Sequence, residues 1–463
     1  MADILFCLGH ARVVPPLSHY RKDSSMPRML YLAFIFFVMS ASQSAIAANW
    51  PHWRGVGGNG VAAEATPPIE WSDSKNVKWK VAIPGHGSGS PVIWENKVFI
   101  VSGVPADGAT TQSQQESLSR NRRRRGGAPL QELKFSVFCF DRATGNKLWE
   151  QVACEVKPHQ ATHSTNNFAA ASPCTDGEHV YAHFGSRGLY CYTMDGDLVW
   201  KRDDLGRMET RNSFGEGSSP TLAGDKIIVP WDHEGQSAIF ALNKRTGETI
   251  WKTDRDEPTC WATPLIVKVG DQKQIIMNGQ TMARAYDLAS GKELWRCGGQ
   301  TERPIASAVS EKGIVYIGSG HRGSFLGAFR PTGSGDIEGT DNVLWTINRD
   351  TPDIASPLLS SGRIYFHKGK SGMLTCVDAA TGKQHYGATR IPDFGNVYAS
   401  PIAAGGHVYL TDRTGTTVVL KDSSDFEIVA TNSVGETVDA TPAPVDNELF
   451  IRGEKHLFCI SGS

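Results

Sequence analysis

A chain of 463 residues, 40% hydrophobic and 21% charged with 48 glycines, has the composition of a globular, turn-rich protein and not of a disordered one. Its 47 basic and 48 acidic side chains leave a formal charge of −1, so no global field exists to gather nucleic acid or an anionic membrane surface. A partner must be recognised by a local site.

In chain order, the first element is an apolar run at 29–39 that follows Arg28 and precedes small residues ending in Ala45-Ile46-Ala47. Charged flank, an apolar core of about 11 residues and an A-x-A site read as a secretory signal peptide, since the run is too short to span a bilayer. Residues 1–47 are therefore expected to be a leader cleaved near Ala47 or Ala48, with Met26 as an alternative start and the mature chain periplasmic or extracellular. No cysteine stands at the cleavage site to carry a lipid, and no transmembrane segment is expected after cleavage. An extension at 48–76 follows, opening on Asn49-Trp50-Pro51-His52-Trp53-Arg54-Gly55. The strand pattern NVKWKV, carrying Trp79, then stands alone.

Eight copies of one pattern fill the rest of the chain: Ser-Pro or a variant, a turn, an apolar strand, a Gly-rich turn, another apolar strand, Asp-x-x-Thr-Gly, then Trp. The copies open at Ser90, Ser172, Ser219, Thr263, Ser307, Ser356, Ser400 and Thr441. After the first interval their spacing is 47, 44, 44, 49, 44 and 41 residues, the length of a four-stranded propeller blade. Gly145, Gly247 and Gly291 occupy the turn position that needs a positive φ, and Trp149, Trp251 and Trp295 follow four residues later. Trp200 and Trp345 close degenerate copies, with Tyr386 and Ile428 as substitutes. The long first interval contains an insertion, residues 104–134, in which Gln, Ser, Gly and four consecutive arginines, Arg122 to Arg125, cannot bury a core and read as a flexible loop. It is a solvated tether or a contact for an acidic partner. The eighth copy stops one strand short, so NVKWKV is expected to complete it and close the ring. The expected fold is all-β: an eight-bladed propeller of four-stranded antiparallel blades over 77–463.

Eight of the nine cysteines lie beyond the leader, an even count that invites a disulfide framework. Cys139, Cys191, Cys376 and Cys459, however, share a column with Ala241, Ala285 and Ala328, where a cysteine serves as a small hydrophobe. Among the others, Cys154 and Cys174 are the one pairing to consider.

The recurrence of SP, VY and DxxTGxxxW resembles the tryptophan-docked PQQ repeats of quinoprotein dehydrogenases and BamB-like propellers, over about 77–463. The resemblance implies the fold and leaves function open. In such a ring the segments before each Ser-Pro, together with the turns between each blade's second and third strands, surround one mouth of the axis. They would bring His86, His163, Asn166, Asn167, Glu216, Trp261, Arg303, Asp353, Tyr398 and Asp439 together. Quinoprotein dehydrogenases hold calcium and PQQ there, and Glu216, Asn167 and Asp353 have the right oxygens, with Trp261 as a stacking surface. The adjacent Cys-Cys pair of many such enzymes is absent. Two readings follow: a monomeric, non-catalytic module binding a protein, peptide or glycan through its loop face, and a PQQ- and calcium-dependent oxidoreductase acting on an alcohol or sugar. G-x-S-x-G, the P-loop pattern and C-x-x-C-H do not occur.

Overall fold

The computed structural model describes residues 48–107 and 130–462. The leader and Arg122 to Arg125 lie outside the described residues. Those described form eight sheets of four antiparallel strands, two of the sheets gaining a fifth strand by parallel pairing, and only two short 3-10 turns, Gly185–Arg187 and Arg211–Ser213. Blade one runs Val92–Trp94, Lys97–Pro105, Leu133–Asp141 and Lys147–Val156, and its inner strand lies beside those of blades two and eight.

The Ser-Pro position explains the ring. Seven of the eight Ser or Thr amides donate to the hydroxyl oxygen of their counterpart in the next blade: Ser90 to Ser172, Ser172 to Ser219, Ser219 to Thr263, Thr263 to Ser307, Ser307 to Ser356, Ser356 to Ser400 and Ser400 to Thr441, at 2.8–3.1 Å. These amides sit at the crowded axis, where an unpaired N–H would be costly. A short hydroxyl side chain supplies the acceptor without adding bulk.

The Asp-x-x-Thr-Gly-x-x-x-Trp signature binds the outer layer. Asp141 Oδ1 accepts from Thr144 N and Oγ1, and Gly145 turns with φ 75°. A Cβ on Gly145 would lie 2.8 Å from the Trp79 ring, whose Nε1 donates to Arg142 O at 2.9 Å. The same docking joins Trp149 to Met194 O, Trp200 to Lys244 O, Trp251 to Leu288 O and Trp345 to Ala379 O. Each tryptophan thus lies on the turn of the next blade. Trp295 departs from the pattern because the following turn is a longer loop whose Gly335–Asp336 pairs in parallel with Glu293–Cys297. Its indole is fully buried and donates to Gln274 Oε1 instead.

Val77–Ala82 pairs antiparallel with His456–Ser461, so the eighth blade takes its outer strand from the N-terminal side. Arg142 of blade one bonds Glu448 and Asp446 of blade eight at 2.6 and 2.8 Å across this seam. The ends of the insertion differ from the loop expected. Val104 pairs with Lys134 and Pro105 with Leu133, because the apolar alternation of both strands continues past the predicted boundary. Cys154 and Cys174 are both free, as are the other described cysteines. Burial pushes the Cys139, Cys191 and Cys376 thiols up to about 12, keeping them protonated in the core.

Ahead of the closing strand, the extension crosses the axis three residues below the Ser/Thr girdle. Trp50 exchanges backbone hydrogen bonds with Ile93 of blade one, Thr175 N of blade two donates to Pro51 O, and Asn59 bonds both N and O of Ser310 in blade five. Val61–Ala62 then runs parallel to Ile402–Ala404 of blade seven. Arg54, fully buried, donates to Asn59 O and to Pro357 O of blade six, both at 2.7 Å. The axis is plugged.

Trp79→Ala removes both the indole docked across the seam and its hydrogen bond, and is expected to destabilise the fold by about 3–5 kcal/mol. Cys376→Ala, at a position where other blades carry alanine, is expected to lose only about 1 kcal/mol. Paired denaturant titrations check the contrast; equal losses would contradict the docking account.

Candidate functional site

Because the girdle holds the eight Ser-Pro starts around the axis, the residues just upstream form its rim. They enclose a cavity of about 270 Å³. Its floor is Trp53 from the plug, whose Nε1 donates to Thr441 Oγ1 at 3.3 Å.

Of the residues singled out by sequence, His163, Asn166, Trp261, Arg303, Asp353, Tyr398 and Asp439 line this cavity. Three do not. Glu216 turns into the wall between blades two and three, where its carboxylate accepts from Ser186 N, Ser186 Oγ and Arg187 Nη1, the last at 2.6 Å. Asn167 donates to Ser88 Oγ and accepts from Ala169 N, folding its own loop. His86 pairs its backbone with Gly103 of blade one. Sequence position placed these three on the right face, but local partners took two of the side chains.

The structure adds residues that the repeat pattern did not single out. His321 and Lys370 line the cavity from the turns between second and third strands of blades five and six, and Phe214 lines it from the segment that also carries Glu216. The turns were legible as a second ring at the same face. Nothing in them marked one residue above another.

The cavity has an aromatic side and a charged side. Phe214 stacks on Trp261 at 6.5 Å and 30°, while the Trp261 indole N–H is anchored on Gly215 O at 2.7 Å. The Arg303 guanidinium lies 5.4 Å from the Phe214 ring and donates to His321 Nε2 at 2.6 Å. Arg303 holds this position with φ 55°, in the left-handed region that it shares with thirteen other described non-glycine residues. Opposite, Lys370 and Arg413 stand 5.3 and 4.7 Å from the Tyr398 ring. Tyr398 Oη reaches Thr165 Oγ1 of blade two at 3.2 Å, a bond that spans the mouth.

Burial raises the Asp353 carboxyl, with His321, Lys370 and Arg303 pulling it the other way. Burial likewise raises Asp439, against the opposing ion pair with Arg413 at 2.6 Å. Burial and then Arg303 lower His321, consistent with a neutral ring accepting the Arg303 N–H.

This arrangement does not assemble a calcium site. The ion takes about six to eight hard oxygen ligands, carboxylates foremost. Glu216 is consumed by Ser186 and Arg187, Asn167 by its loop and Asp439 by Arg413, leaving Asp353 as the carboxylate facing the cavity without a dedicated ion pair. Away from the mouth, Asp176, Glu178 and His179 gather within metal-ligand reach. Asp176 there already bonds Lys244 at 2.6 Å and accepts the His179 and Glu178 amides.

Glu216→Ala leaves the Arg187 charge in a buried wall, and breaking such a pair from one side typically costs about 3–5 kcal/mol. A clear fall in melting temperature is therefore expected of this variant, and an unchanged melting curve would return Glu216 to the list of ligand-binding residues.

A family model described as outer membrane protein assembly factor BamB matches residues 133–386. No curated protein sequence matches the chain. Among solved structures, BamB from Moraxella catarrhalis is similar at TM-score 0.50 and 12% identity, covering 71% of this chain and 93% of that one. Quinohemoprotein alcohol dehydrogenase from Comamonas testosteroni is similar at TM-score 0.58 and 10% identity, covering 90% and 81%. The computationally designed Ika8 protein follows at 0.53 and 14%, covering 82% and 98%. At these identities the structural likenesses speak for the fold alone. Matched by that family model over more than half its length and built as an eight-bladed ring, the chain belongs to the PQQ-like propeller family described as outer membrane protein assembly factor BamB.

Proposed function

We propose that this chain is an exported binding module that holds a protein, peptide or glycan ligand in its axial mouth. One observation carries the reading: the contrast between girdle and rim. At the girdle every blade supplies Ser or Thr, as folding requires. Two to six residues upstream the blades supply Asn166, Trp261, Arg303, Asp353, Tyr398 and Asp439 around a closed-bottomed cavity. A rim kept only for folding would repeat as the girdle does, whereas a concave site with aromatic walls and a few polar groups is the usual form of a ligand site.

Export draws on the leader at 1–47 and on the start of the extension. Ala48 N lies 3.1 Å from Asp446 Oδ1. Cleavage before Ala48 would turn that amide into an ammonium facing a carboxylate. Among the described residues no helix is long and apolar enough to cross a membrane.

The alternative, a PQQ- and calcium-dependent oxidoreductase acting on an alcohol or sugar, draws on the quinohemoprotein alcohol dehydrogenase among the structural neighbours and on Trp261 at the cavity wall. The scattered oxygen donors weigh against it. Purified protein mixed with PQQ and calcium is expected to show neither a bound-quinone absorbance nor dye-linked oxidation, and the appearance of both would reverse the order of the two readings. For the binding reading, Tyr398→Ala should weaken capture of a ligand at least tenfold with little change in melting temperature. Intact affinity in that variant would move the site away from the mouth.

A further inference from the structure

The mouth has a chemical bias beyond its shape, and that bias starts in the girdle. A serine or threonine hydroxyl has one proton to donate and two lone pairs. At Ser172, Ser219, Thr263, Ser356, Ser400 and Thr441 one lone pair already accepts the N–H of the preceding blade. All six residues line the cavity. Among the described residues none of these six hydroxyls donates to a protein acceptor, so the base of the mouth is a circle of hydrogen-bond donors.

Charge adds to this. Arg303 and Lys370 line the cavity, and Arg413 lies behind it, against Asp353 and Asp439; Arg413 already holds Asp439. The Arg303 Nε is buried without a partner. The guanidinium lies over the Phe214 ring, beside the Phe214–Trp261 aromatic wall.

Donors distributed around a full circle call for a ligand with acceptor oxygens on every side. A pyranose ring has that distribution, and its C–H face suits the Phe214–Trp261 wall. A peptide presents its acceptors along a line, alternating with N–H groups, and so matches a circle of donors less well than a pyranose does. We infer that the mouth takes the end of an acidic glycan, its carboxylate or sulfate held by Arg303 and Lys370, its hydroxyls by the girdle and one sugar face by Phe214 and Trp261. The inference rests on the mouth being the binding site. The cavity of about 270 Å³ lies just below the size of drug-sized pockets, roughly 300–1,000 Å³, so it holds a terminal unit and not a long segment.

Calorimetric titration of the purified protein with trigalacturonate, a sulfated trisaccharide, neutral maltotriose and hexaglutamate tests this. At least one acidic sugar is expected to bind tenfold or more tighter than maltotriose, with affinity falling as salt is raised. Which acidic sugar binds tells carboxylate from sulfate. Arg303→Met is expected to weaken that binding at least tenfold, and Lys370→Met, at an exposed side chain, several-fold with the fold intact. Equal affinity for maltotriose, preference for hexaglutamate, no binding by either acidic sugar, or wild-type affinity in both variants would overturn the inference. If maltotriose or hexaglutamate binds and Tyr398→Ala abolishes it, the acidic-glycan inference falls while the mouth reading stands; if Tyr398→Ala leaves that binding intact, both fall.

Discussion

The hydroxyl of each Ser-Pro is the constraint from which the rest of the architecture follows. Eight inner strands can converge on one axis only if the amides crowded there find acceptors, and water cannot reach every one of them. Placing the acceptor on the neighbouring blade makes hydrogen bonding and ring formation the same event. The run from Ser90 to Thr441 therefore fixes both the spacing of the blades and the height at which the rim segments leave them. Alanine at these positions would fit the space and leave amides unpaired; a larger polar residue would satisfy them and block the axis.

A second circle, the tryptophan docking, works at the opposite edge of each blade and by another mechanism. Here a bulky ring is buried on a glycine turn, and the indole N–H satisfies a turn carbonyl. The two circles tolerate different substitutions. Blade six replaces its tryptophan with Tyr386, which packs edge-on against Phe426, and blade four redirects Trp295 inward when the next turn lengthens. Seven successive girdle links have no such exception, since a short acceptor has fewer substitutes than an apolar plug.

What was legible in the sequence follows the same division. Period, blade count, the docked tryptophans and the alanine-like cysteines came from repetition, because each must satisfy the same geometry blade after blade. The mouth lies where repetition ends, and there the pattern located a face without telling which side chains would reach it. Glu216 and Arg303 illustrate the limit. Both precede a Ser-Pro-type start at similar distance, yet Glu216 meets Arg187 and Ser186 inside the wall, while Arg303 meets His321 at the cavity. The deciding partners come from turns elsewhere in the chain, at separations of 29 and 18 residues, where single-chain spacing carries no information. The insertion ends were misplaced for a related reason, since strand pairing between Val104 and Lys134 outlasts the change in composition.

The plug changes what the mouth is. An eight-bladed ring alone leaves an open channel, through which an extended ligand would thread. Here Trp50, Arg54 and Asn59 bond the inner strands of blades one, six and five below the girdle, and Trp53 rises to Thr441. The channel becomes a blind pocket whose floor comes from outside the repeats. Such a pocket admits the end of a ligand and presents donors to it from every side, while the extension that forms the floor also supplies the strand of blade eight. Ring closure and floor are therefore one continuous segment, 48–82, so the blind mouth exists only when the ring is complete.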